Sequence, residues 1–115
     1  MTAHWTMDSV TGSTLEEEGD NYDGTLVNSP IQSTDRVKGN FSLLLDSGDS
    51  ERVEVSDAAT FTLQANSART LSFWMKSPNT GLLRFLFQKG QGYYTDGEWH
   101  VYHYDDRIGG IFSDI

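Results

Sequence analysis

Short runs in which apolar and polar residues alternate are separated along this chain by clusters of Gly, Ser, Asp, Asn and Pro. The pattern is clearest between Gly39 and Lys89. Within Arg69–Lys76, Leu71, Phe73 and Met75 point one way, and Thr70, Ser72, Trp74 and Lys76 the other. A period of two is what a half-buried strand needs, because successive side chains leave opposite faces of a pleated backbone. Eight strands are predicted, at about His4–Met7, Gly24–Val27, Ser42–Asp46, Arg52–Val55, Arg69–Lys76, Leu82–Lys89, Glu98–Tyr104 and Gly110–Asp114. Ser77-Pro78-Asn79-Thr80-Gly81 is turn chemistry, so 69–76 and 82–89 are expected to form a hairpin. Residues 11–23 read as a polar loop. The only helical signal is one turn at Ser56–Thr60, with Ser56 or Asp57 able to cap it.

This spacing of short strands predicts an all-β fold, a two-sheet antiparallel β-sandwich. The same pattern gives a core. Phe41, Leu43 and Leu45 share a face, as do Val53 and Val55, and as do Leu83, Phe85 and Phe87. Trp5, Phe61, Leu63, Leu71, Phe73 and Met75 complete it. At 115 residues the chain reads as a single domain. A chain of that length buries roughly 60–70% of its unfolded surface. The sequence stops at Ile115 inside an apparent strand, which leaves an edge that strands normally need covered.

Charge narrows the partners. Seventeen acidic and eight basic side chains leave a formal charge of −9. Nucleic acid is therefore not expected as a partner, since binding it requires Lys and Arg to neutralise phosphates. Anionic membrane surfaces are disfavoured on the same ground. No apolar run approaches the ~18 residues of a membrane span, and the first ten residues lack a signal-peptide profile. Cysteine is absent, which removes thiol catalysis and Cys-based zinc sites.

Candidate chemistry lies in two places. Asp46, Asp49 and Glu51 surround Gly48, and Asp20, Asn21 and Asp23 precede Gly24. Clustered carboxylates on a tight loop can begin a calcium shell. The same residues also build turns by bonding their own backbone, and both readings stand for each segment. Aromatic residues crowd the second place: Tyr93, Tyr94, Trp99, Tyr102 and Tyr104 fall within twelve residues, with His100 and His103 interleaved. On one strand, Trp99 and Val101 share a face, and His100, Tyr102 and Tyr104 share the other. One face belongs to the core. The other is either an exposed platform, suited to stacking on sugar rings, or a surface covered by further protein.

Catalytic patterns are weak. His100 and His103, three apart on a strand, face opposite sides and cannot share a metal. No serine occupies a Gly-x-Ser-x-Gly elbow. Glu98 and Asp105, seven apart, fall on opposite faces and not as the paired acids of a glycosidase. The chain is expected not to be an enzyme. Asn40-Phe41-Ser42 is a glycosylation triplet of a kind that arises by chance.

In order along the chain, several segments resemble the N-terminal part of a laminin-G-like, concanavalin A-like jelly roll. His4-Trp5-Thr6-Met7-Asp8 is similar to its opening strand. Asp20 to Leu26 is similar to its Asn/Asp-Gly-Thr-Leu loop. Gly39–Asp46 followed by Asp49–Val55 is similar to its Gly-x-x-Leu-x-Phe-Asp-Gly and Asp-x-Val-x-Val stretch. Thr70–Lys76 resembles its central strand and Phe87–Gly90 the turn after it. The likeness covers residues 3–92 well and 93–115 loosely, and the family usually continues with further strands. It implies a jelly roll that binds glycans or protein partners, with one calcium ion on a loop matching Asp46 and Asp49. The glucanase string Glu-x-Asp-x-x-Glu of that superfamily does not occur here.

Two functions follow as expectations. The first is a non-catalytic lectin-like module on a cell or virion exterior, recognising a glycan or a protein surface through Tyr94, Trp99, Tyr102 and Tyr104, with calcium at Asp46 and Asp49. The second is a structural or decoration subunit of a virion, whose partners are neighbouring copies or other subunits. A glycoside hydrolase comes third.

Overall fold

The structure, a computed structural model, describes residues 2–62, 68–78, 80–90 and 99–112. It is all-β, with antiparallel sheets and one three-residue 3-10 turn. Among the described residues no helix is long and apolar enough to cross a membrane. The chain divides into two compact units, Met1–Asp57 and Ala58–Ile115.

In the first unit, β1 (Val10–Thr11) and β2 (Thr14–Leu15) form a tight hairpin. Gly12 supplies its positive φ of 59°, a conformation that only glycine adopts freely. β3 (Gly24–Val27) pairs with β2, and β6 (Arg52–Val55) closes the sheet in the order β1-β2-β3-β6. β4 (Ile31–Ser33) and β5 (Ser42–Leu44) form a separate two-stranded ladder. Leu15, 2% exposed, and Leu26 are buried apolar side chains of the four-stranded sheet. They alternate with outward Thr14 and Thr25, as period-two burial requires.

Polar ties fix the entry segment. The carboxylate of Asp8 accepts the backbone N–H groups of Asn40 and Phe41, each at 2.8 Å. The Trp5 indole N–H donates to the Tyr22 carbonyl at 2.9 Å. His4–Met7, expected as a strand, pairs with nothing in a ladder and is held by these side-chain bonds instead. The expected polar loop at 11–23 contains the β1–β2 hairpin, and β4 was also not anticipated.

In the second unit the 3-10 turn Ala59–Phe61 falls one to three residues after the expected turn, and neither Ser56 nor Asp57 caps it. β7 (Arg84–Lys89), β8 (Trp99–Tyr104) and β9 (Arg107–Phe112) form an antiparallel sheet in chain order. The expected strand Arg69–Lys76 enters no ladder, and its hairpin with 82–89 does not form; β7 pairs with β8. Alternation fits a strand but does not supply the neighbour whose backbone must pair with it. Leu71, Trp74 and Met75 are exposed, and Phe73 alone of that segment's expected core packs, its ring 4.8 Å from that of Phe87.

The predicted core is corrected more widely. Phe41, Leu45, Leu71, Met75, Leu83 and Phe85 are exposed, and among the described residues of the second unit Val101 is the buried apolar one. Leu63 lies outside the described residues. Phe85 and Phe87 do not share a face. A register shift between them pairs Phe85 with Tyr102 and Phe87 with Val101, whose side chains leave opposite faces of β8. A β-bulge does this by placing one extra residue, here Leu86, against the partner strand.

Candidate functional site

Six consecutive residues, Trp-His-Val-Tyr-His-Tyr, make β8, and aromatic and β-branched side chains suit a pleated, half-buried surface. A two-residue turn, Asp105-Asp106, returns the chain into β9. Asp105 takes φ 51° there, which Asp tolerates better than most residues. The β8–β9 register runs without a slip from Trp99↔Phe112 to Tyr104↔Arg107. Directly opposed residues share a face. His100, Tyr102 and Tyr104 therefore lie with Ile111, Gly109 and Arg107 of β9 and with Phe85 of β7.

The opposite face is the packed one. Val101 is buried, the Trp99 indole N–H donates to the Phe61 carbonyl at 2.8 Å, and Phe87 meets Phe73. His103 stands 3.4 Å from the Ser77 hydroxyl through Nδ1. At that length the contact is weak and serves to orient the two side chains.

On the Tyr102 face, Leu83, Phe85, Tyr102, Tyr104 and Ile111 line a shallow open depression of about 370 Å³. Its polar groups are two phenol hydroxyls. His100, buried at 4% exposure, sits under the Phe85 ring with centroids 5.5 Å apart. The depression offers flat apolar contact with few fixed hydrogen bonds, which suits stacking or docking more than a reaction.

Of the expected ligand-binding residues, Tyr102 and Tyr104 come together on this face. Trp99 is turned to the packed side, and Tyr94 lies outside the described residues. Leu83, Phe85 and Ile111 complete the depression. Two of them read as core in the sequence, and only the bulge at Leu86 and the strand order bring them beside the tyrosines.

The acidic segments of the first unit are closed by their own backbone. Asp46 Oδ1 accepts the Gly48 N–H at 2.8 Å, and the Asp46 N–H donates to Glu51 Oε2 at 2.7 Å. The carbonyl of Asp49 accepts from Asn28 Nδ2 at 3.0 Å. Among the described residues no three carboxylate or imidazole groups converge on a point where a cation could sit. These hydrogen bonds shape the 46–51 loop.

Among the described residues Glu17 is the acidic group with a distinct environment. It is 5% exposed. Its carboxylate accepts the His4 N–H at 3.1 Å and the Asn21 N–H at 3.3 Å, while its own N–H donates to Asp23 at 2.8 Å. The His4 bond chiefly holds its pKa below the ordinary carboxylate value. Burial opposes that shift, and the N–H groups of Asn21, Gly19 and Tyr22 reinforce it. Glu17 carried no motif in the sequence, and it organises the 17–23 loop as a fixed anion. Comparison with protein families, with characterised proteins and with solved structures gives no match to this chain.

Proposed function

We propose that this chain is a non-catalytic recognition module that docks a protein surface through the aromatic face of β7–β8–β9. The observation that carries the reading is the shared exposed face of Leu83, Phe85, Tyr102, Tyr104 and Ile111. Aromatic anchors dominate binding energy at protein interfaces, about 2 kcal/mol or more each at a hot spot. Two tyrosines two residues apart on one strand present such anchors on a rigid scaffold, each with a hydroxyl left to find a partner. The depression is open and its five lining residues are uncharged, with Arg107 at its border opposite Tyr104, which fits a largely apolar partner. The proposed setting is extracellular or on a virion surface, as an adhesion or decoration module. The finer fold that goes with this reading is the two-sheet, laminin-G-like jelly roll.

A glycan is the second reading. It is favoured by Tyr102 and Tyr104, whose Cα atoms are about 7 Å apart along a strand and so present two rings to successive sugar units. A calcium ion at Asp46 and Asp49 belongs to this reading.

The test places a photoreactive phenylalanine analogue at 102, at 104 and at the exposed control position Val37, and screens the native chain on a glycan array with and without chelator. Cross-links to one protein from 102 and 104 but not from 37 support docking. Array binding lost in Tyr102→Ala supports the glycan. Cross-linking no greater than at 37, with a blank array, removes both.

A further inference from the structure

We propose that β9 is an assembly edge, along which two copies of this chain pair antiparallel and extend the β7–β8–β9 sheet across a two-fold axis. An edge strand exposes a row of backbone N–H and C=O groups, and another strand is the partner that satisfies all of them. Proteins usually guard such edges with short length, charge, proline or bulges. Among the described strands every other edge has one of these guards. β1 has two residues, and β4 and β5 have three each. β6 is short and carries Arg52 and Glu54, exposed and ion-paired at 2.7 Å. β7, as long as β9, carries Arg84 and Lys89 and the bulge at Leu86. β9 has six residues, a regular register, no proline, no bulge, and a single charge, Arg107 at its first position, with none from Ile108 to Phe112.

The strand's own sequence favours a second copy as the occupant. A two-fold axis perpendicular to a sheet keeps each residue on its face, so only registers that match residues of equal parity are allowed. Ile108, Gly110 and Phe112 share one face. With the axis at Gly110, Ile108 stands opposite Phe112 of the second copy, twice over, and the two glycines meet on the axis, each beneath the Phe112 ring of its own chain. Ile108 and Phe112 are 57% and 63% exposed, and this register gives each an apolar cross-strand neighbour. On the other face Gly109 meets Ile111 of the second copy, which sets the two aromatic depressions side by side. The inference does not depend on what those depressions bind.

Each copy carries −9, so the pairing works against net repulsion and tightens as salt screens it; the Debye length falls to about 8 Å at physiological ionic strength.

The experiment uses the whole chain. Sedimentation from low to high micromolar concentration is expected to show a monomer–dimer equilibrium that strengthens with salt. Ile108→Lys with Phe112→Lys should weaken it about tenfold or more, whereas Tyr104→Ala, opposed to Arg107 outside the 108–112 pairing, should leave it unchanged. Because the chain has no cysteine, Ile108→Cys and Phe112→Cys can be made singly and mixed under mild oxidant. The 108–112 cross-link should form in the mixture faster than in either variant alone, and faster than between copies of Val37→Cys. The proposal is overturned by a monomer throughout, by a dimer that survives the lysines, or by cross-linking in the mixture no better than the controls. The cysteine arm decides the matter if the lysine variant fails to fold. Loss of partner binding in Tyr104→Ala with the dimer intact separates this edge from the docking face.

Discussion

The phenol ring of Tyr102 lies across Gly109, its directly opposed neighbour on β9, in the space that a side chain at 109 would fill. A Cβ added to Gly109 would run into the ring and stand 2.5 Å from its hydroxyl oxygen. A bare glycine weakens a strand, and an aromatic ring laid over it restores cross-strand contact. The same pairing sets the tilt of the ring that lines the depression.

Gly109→Ala therefore forces Tyr102 off its seat. Overpacking of this kind costs about 1–3 kcal/mol, with the lower end expected because the ring can swing toward solvent. The urea midpoint should fall and the near-ultraviolet tyrosine signal should change, while Gly109→Ala combined with Tyr102→Ala should recover most of the stability. A double variant no more stable than Gly109→Ala would show that the ring and the glycine are not coupled.

Glu17 gives the pH dependence its sign. Its carboxyl is held below the ordinary value in the folded chain, so the folded state favours the ionised form. That contribution is complete above the unfolded carboxyl pKa, about 4.3, and is lost as pH falls through the lower folded value. Glu17→Gln should then lower the urea midpoint clearly at pH 7, with the gap to the parent chain closing in acid below pH ~4. A gap of constant size from pH 7 into acid would mean that shape, and not charge, is what Glu17 supplies.

The 39–41 turn depends on an acceptor 31 residues or more away in sequence. Gly39 takes φ 75°, and a Cβ there would lie 2.9 Å from both Asp8 carboxylate oxygens. Gly39→Ala should cost about 1 kcal/mol or more from backbone strain together with displacement of the carboxylate. Asp8→Ala should cost about 1 kcal/mol, near the low end for lost hydrogen bonds because water reaches the freed N–H groups. Amide exchange at Asn40 and Phe41 should rise in both. Unchanged protection at those two amides in Asp8→Ala would remove the carboxylate from the account.

How far the sequence reveals this molecule depends on which interactions are local. β3 and β6 fall where alternation of Gly24–Val27 and Arg52–Val55 puts them, and β8 lies within a residue of expectation, because each strand's own side chains carry the pattern. Arg69–Lys76 has the same pattern and no ladder, since pairing is decided by distant backbone that alternation does not encode. The tyrosines of the depression were visible as a cluster, and the opposition of Trp99 to Tyr102 followed from parity. Phe85 was misplaced because a one-residue bulge reverses a face and leaves no mark in composition. Asp8 and Glu17 act through backbone N–H groups of remote loops, which no spacing rule announces.

Trp99 tests the packed side of the same sheet, and Trp74 is its internal control. The Trp99 indole N–H reaches the Phe61 carbonyl at 2.8 Å and ties β8 to the 3-10 turn. Trp99→Phe keeps an aromatic ring and removes the donor, at an expected cost of about 1 kcal/mol plus some packing loss. Trp74 is 75% exposed, so Trp74→Phe should stay within about 0.5 kcal/mol of the parent chain. Emission should separate them too. Trp74 contributes a water-like spectrum, whereas loss of Trp99 should remove blue-shifted intensity. Equal urea midpoints for the two variants would show that the indole bond does not anchor the turn to the sheet, and the packed face would then rest on Phe73, Phe87 and Val101 alone.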